Sequence, residues 1–192
     1  MPKIIDYAIV LKRLTDEGLD CHYYNGGSFG FGAEAHVRGW IGSVDTTIKP
    51  AMLAMVRSVG EPYETNLAAM ATWAWQRCLA GEVWAMPAAH WAYELSDGSR
   101  EWLPGVIEGL GLDVELLRGR NNAAAIEFST METAKFEGFI QHLLERLGQS
   151  DFTLAFPERG TVCTVHHHKQ LWWVTPHARV VEALDELMRS GS

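Results

Sequence analysis

"DFTLAFPERGTVCTVHHHKQLWWVTP", residues 151–176, is the stretch whose reading decides the fold. Residues 151–156 read as a strand, Pro157-Glu158-Arg159-Gly160 as a turn, 161–167 as a second strand and 171–174 as a third, with Lys169-Gln170 in the turn between them. Strands joined by connections this short pair antiparallel. Thr175-Pro176 then opens a helix with Val180, Ala183, Leu184 and Leu187 inward. A three-stranded meander closed by a helix predicts an α+β fold with mainly antiparallel sheet and helices packed on one face.

The rest of the chain fits that class. Residues 3–17 are broadly apolar between Pro2 and Gly18 and predict a first helix. "LDCHYYNGGSFGFGAEAHVRGWIGS", 19–43, predicts two strands around a Gly-rich turn. Helices are expected from Thr47 to Val59, with Pro50 in the first turn, and over 63–80, where Leu67, Met70, Ala71, Ala74 and Cys78 form a stripe. Alternation of Trp91, Tyr93 and Leu95 with His90, Ala92 and Glu94 predicts a strand ending at Ser96-Asp97-Gly98-Ser99. Trp102 to Leu110 has helical spacing, a short helix is expected from Asp113 to Gly119, and 123–128 reads as a buried strand, with Asn121-Asn122 in the turn before it. Ser129 and Glu132 have the spacing of a capping box, and Phe136, Ile140, Leu143, Leu144 and Leu147 form the apolar face of the next helix.

At 192 residues with 47% apolar composition, the chain suits a single α+β domain over 1–192. A weak internal echo suggests duplicated helix-strands-helix halves. Leu11-Lys12-Arg13-Leu14 and His36-x-x-x-Trp40 are matched by Leu144-Glu145-Arg146-Leu147 and His168-x-x-x-Trp172.

Charge and composition narrow the function. The formal charge is −8 with no Lys/Arg-rich stretch, which argues against nucleic acid and anionic membranes as partners. No apolar run approaches the ~20 residues of a membrane span. Charges at Lys3 and Asp6 and the lack of a small-residue cleavage site predict a soluble, cytoplasmic protein. Three cysteines, Cys21, Cys78 and Cys163, without CxxC spacing fit reduced thiols.

The triplet His166-His167-His168 is the richest chemical feature. In a regular strand His166 and His168 share a face with Cα atoms about 6.6 Å apart, while His167 joins Cys163 and Val165 opposite. The pair suits zinc, with a further ligand from Cys163, His90, His36, Glu94 or Cys21. The plain alternative is a set of partly solvated imidazoles near a hairpin end. Cys163, with histidines nearby, is the best thiol candidate, although strand cysteines are more often inert.

Two other stretches invite a functional reading. Gly30-x-Gly32-x-x-Ala35 superficially matches a dinucleotide fingerprint, but "AEAHVRGWIG", 33–42, reads as strand rather than helix, so Gly30 and Gly32 are better explained as a bulge that permits close approach of a small ligand. His90 and Glu94 on one strand face, with Glu127 on the next, would supply an acid–base group if those strands pair.

These features support two functions. The first is a binding or interaction protein that takes a protein or small molecule on an aromatic sheet surface, anchored by Trp172 or Trp173. The second is a metal-assisted hydrolase with His166 and His168 as zinc ligands and Glu94 or Glu127 as base.

Overall fold

The computed structural model describes residues 1–19, 21–23, 29–31, 35–42, 50–96, 100–120 and 124–190. Its centre is one eight-stranded sheet. In chain order the strands and helices are β1 (Lys3–Asp6), α1 (Tyr7–Asp16), β2 (Cys21–Tyr23), β3 (Phe29–Phe31), β4 (His36–Ile41), β5 (Val56–Ser58), α2 (Tyr63–Ala74), β6 (Val83–Pro87), α3 (Trp91–Glu94), α4 (Trp102–Gly109), α5 (Val114–Arg120), β7 (Ala124–Phe128), α6 (Thr133–Arg146), β8 (Phe152–Phe156), β9 (Thr161–His166), β10 (Gln170–Thr175) and α7 (Ala178–Ser190). The sheet order is β1-β7-β6-β8-β9-β10-β4-β5, and β2 with β3 forms a separate hairpin. Every pair in the large sheet is antiparallel except β4 with β5. The protein is thus α+β, and no described helix is long and apolar enough to cross a membrane.

Strand alternation sorts the side chains onto two faces. Ala85, Phe128, Leu154, Cys163, Val165, Leu171 and Trp173 point into the larger core, with the inner sides of α2, α4, α5, α6 and α7 against them. Trp84, Ala125, Ala155, Val162 and Val174 point the other way, where Tyr7, Val10 and Leu14 of α1 cover them. Among the described residues, the helical layer therefore lies on one face, with α1 across the sheet from it. Edge-to-face aromatic contacts bind the larger core: Trp75 meets Phe136 at 4.8 Å between ring centroids, Phe136 meets Phe128 at 5.6 Å, and Phe152 meets Trp91 at 5.7 Å.

The meander of 151–176 and its closing helix fold as expected, and the capping box forms, with the Ser129 N–H and hydroxyl both 2.9 Å from Glu132 Oε2. Other elements differ. Residues 3–6 are strand rather than helix: Asp6 caps α1 by accepting from the Ala8 N–H at 2.8 Å. Ile4 packs toward the larger core and the adjacent Ile5 toward the smaller, a split that only an extended chain allows. The segment 50–55 is a 3-10 turn and 56–58 is strand β5, while Thr47 lies outside the described residues. Val83–Pro87 is a further strand, hidden from a period-two reading because all five residues are buried. The helix over 63–80 ends in a π turn at Trp75–Leu79. Asn121-Asn122 and Asp97–Ser99 lie outside the described residues.

Among the described residues, the internal echo has no counterpart in the strand arrangement. β8, β9 and β10 lie side by side in the large sheet, whereas β2 and β3 stand apart from it. Trp40 belongs to the larger core, while Trp172, next to core residue Trp173, projects to the opposite face.

Candidate metal centre

The site is built by the turn between β9 and β10. Gln170 pairs with His166, so the connection is the three residues His167, His168 and Lys169 rather than a turn centred on Lys169-Gln170. Three-residue hairpin loops place a left-handed residue last. Lys169 takes that place with φ of 59°, and its N–H bonds to the His166 carbonyl at 3.1 Å. Its carbonyl accepts from the Gly42 N–H at 2.9 Å, and its ammonium pairs with the Glu64 carboxylate of α2.

This turn overrides strand alternation at His167. The expected separation of His167 from His166 and His168 does not occur: the three rings cluster, with centroids 4.2 Å (His166–His167), 4.2 Å (His167–His168) and 5.0 Å (His166–His168) apart. One ligand nitrogen from each lies within 4.8 Å of the others. His166 and His167 are about a quarter exposed, at 26% and 24%, so an ion there would be reachable from solvent without being fully hydrated.

Asp151 organises the cluster. Its Oδ1 accepts from the His167 backbone N–H at 3.1 Å and lies 2.8 Å from His167 Nδ1, and its Oδ2 is 3.9 Å from His166 Nε2. A carboxylate accepts only, so the neutral His167 ring carries its proton on Nδ1 and leaves the Nε2 lone pair for a ligand. His166 Nδ1 accepts from the His168 N–H at 3.2 Å, a contact that His166 would exchange for a metal bond or leave by turning its ring. Three imidazoles are the protein ligand set of one class of catalytic zinc site, with a solvent position left open. Zn–N bonds of about 2.0–2.1 Å require the nitrogens to close from their present spread to roughly 3.3 Å.

Immediately before Asp151 the chain enters a second polar network. The Ser150 hydroxyl donates to Glu94 Oε1 at 2.5 Å, and Arg100 Nη1 lies 3.0 Å from Glu94 Oε2, with Glu94 and Arg100 only 0% and 2% exposed. Glu94 ends α3, so the strand expected over 90–95 is a helical turn, with the Glu94 N–H bonded to the His90 carbonyl at 3.0 Å. Burial of both Trp91 and Leu95, four residues apart, satisfies helical period as well as alternation does. His90 precedes the turn, and its Nδ1 is buried without a hydrogen-bond partner among the described residues.

Glu127 does not join His90 and Glu94. On β7 it lies opposite Trp84 and Lys3, accepting from Trp84 Nε1 at 3.1 Å and pairing with Lys3 at 2.8 Å, whereas Asp151 sits beyond the other end of β6, where Pro87 pairs with Phe152. His36 is exposed at the start of β4 opposite Thr175, at the far end of β10 from the histidine turn. Cys163 is fully buried in the larger core, and burial pushes its thiol well up, away from the thiolate form that a ligand or nucleophile needs.

Trp173 is also core, its ring 5.2 Å from Trp40 and 5.5 Å from Phe156. Trp172 is half-buried on the opposite face. It lies over Gly39 and donates from Nε1 to Gln170 Oε1 at 2.8 Å. Gly30 lies in β3 opposite His22, Gly32 lies outside the described residues, and the next element is β4 rather than a helix.

Asp151, Ser150, Arg100 and Glu64 were not among the expected site residues. Asp151 had a signal: pairing 152–156 with 161–165 across the Pro157–Gly160 turn puts it opposite His166. Arg100 and Glu64 reach the site through tertiary packing and carry none. Comparisons of the chain with family models, with curated proteins and with solved structures gave no match.

Proposed function

We propose that this protein binds a divalent transition metal, zinc or a close neighbour in ligand preference, through His166, His167 and His168. The observation that carries the reading is the convergence of three imidazole nitrogens within 4.8 Å beside a carboxylate that fixes the His167 tautomer. Asp151 acts behind the ligands, because its Oδ1 is already engaged by His167. A metal held by these three imidazoles would leave a position for water and would lower that water's pKa, the chemistry that metal-assisted hydrolysis requires. Of the carboxylates expected as its base, Glu94 is buried against Arg100 and Ser150, and Glu127 is engaged by Lys3 and Trp84. The interaction reading is weaker, since Trp173 is in the core and the Trp172 N–H is spent within the hairpin.

The test uses protein without a polyhistidine tag. Zinc and cobalt titrations should give one equivalent bound, cobalt with the visible bands of a low-coordinate nitrogen site, and a His166→Ala/His167→Ala/His168→Ala variant should bind none. Equal binding by wild type and the triple variant would overturn the proposal.

A further inference from the structure

We infer that Ser150 and Glu94 are positioning residues for the metal centre, acting through Asp151; this rests on the metal-binding reading above. The segment Ser150-Asp151 is gripped twice, by the connection that leaves β6 and by the last residue of α3. Backbone to backbone, the Ala88 N–H donates to the Asp151 carbonyl at 2.8 Å. Side chain to side chain, the Ser150 hydroxyl donates to Glu94 at 2.5 Å. Asp151 leaves that grip with its carboxylate on His167.

Glu94 is itself held by Arg100, and both are almost wholly buried. Buried ion pairs are commonly no more stabilising than apolar residues of the same volume, so stability alone is a poor reason for one here. Their best-attested use is to specify a single arrangement, which a metal site requires of the groups behind its ligands. Ser150 is the link: its hydroxyl connects the fixed pair to the residue that orients a ligand. Outer carboxylates of this kind change metal affinity about 10- to 100-fold when altered.

The experiment compares wild type, Ser150→Ala and Ser150→Thr as full chains. Zinc affinity is read by competition with a chromophoric chelator, and the His167 tautomer by nitrogen NMR without metal. Ser150→Ala should weaken zinc binding about tenfold and reduce the Nδ1–H tautomer, while Ser150→Thr, which keeps the hydroxyl, should stay close to wild type. If Ser150→Ala does not fold, Ser150→Cys, similar in volume and a weaker donor, takes its place. Wild-type protein that binds no zinc would overturn the centre itself. Zinc binding in wild type with unchanged affinity and tautomer in Ser150→Ala, whatever its melting temperature, would overturn the positioning role and leave the centre standing.

Discussion

One oxygen of Asp151 accepts both the backbone N–H of His167, at 3.1 Å, and the proton on its Nδ1, at 2.8 Å. The two contacts fix the ring relative to its own backbone, which a single hydrogen bond leaves free to turn. Asp151→Asn keeps an acceptor of the same shape but removes the charge that favours the Nδ1–H tautomer. Zinc affinity should fall about 10- to 100-fold, with little change in the far-UV circular dichroism. A chelator-competition titration at fixed pH checks this, and an affinity within about twofold of wild type would mean that Asp151 does not orient a ligand.

Gly39 and Trp172 are cross-strand partners on β4 and β10, and the indole lies where a Cβ on residue 39 would stand, 2.7 Å from Cζ3 and 2.9 Å from Cε3. Both strands are backbone-paired here, so relief must come from the ring, and the ring is tied to Gln170. Gly39→Ala should cost about 1–3 kcal/mol, as overpacking does, measured by urea denaturation of the metal-free protein. The companion variant Gly39→Ala/Trp172→Leu should lose less than the sum of the two single changes, because the clash and its cause are removed together.

Glu64 and Lys169 join α2 to the histidine turn. The Lys169 hydrogen bond, aided by one from its own backbone, holds the Glu64 carboxyl below its ordinary range. A carboxyl lowered in the folded state stabilises the fold above its unfolded pKa, and that contribution disappears as pH falls through the lower, folded value. Glu64→Gln should therefore lower stability at neutral pH by a few tenths to about 1 kcal/mol, the range for a partly exposed pair. Below about pH 4 the gap from wild type should shrink toward zero as the wild-type carboxyl protonates. Parallel unfolding curves with a constant gap from pH 7 to acid would show that the pair contributes nothing through its charge.

The meander, the capping box at Ser129 and the stripe of α6 were legible because each is a local pattern: short turns, a three-residue offset, helical period. The elements that were not legible have physical reasons. All five residues of β6 are buried, so it has no period. The apolar Trp91, Tyr93 and Leu95 alternate in the sequence, but the fold buries Trp91, Glu94 and Leu95 and exposes Tyr93, and the burial of a charged Glu94 is what a local pattern does not reveal. At the site the histidine triplet is visible in the sequence but its geometry is not, since strand alternation fails one residue past the end of β9, in a turn that begins at His167. Asp151 required the β8–β9 register. Arg100 and Glu64 required the fold.

Glu94 and Arg100, the buried pair beneath the site, lie 3.0 Å apart with almost no contact with water, so removing either partner leaves the other in a medium that solvates it poorly. Glu94→Leu alone and Arg100→Leu alone should each cost about 3–5 kcal/mol, and the double variant should cost less than either single change, because no uncompensated charge remains. Denaturation of the metal-free proteins as a double-mutant cycle gives the comparison. Strictly additive losses would mean that water or other groups already solvate each charge, and the pair would not be the rigid element behind Ser150. A large coupling would also identify the fixed element behind Ser150 as the whole group, since the Glu94 carboxylate is engaged by a guanidinium on one oxygen and by the Ser150 hydroxyl on the other.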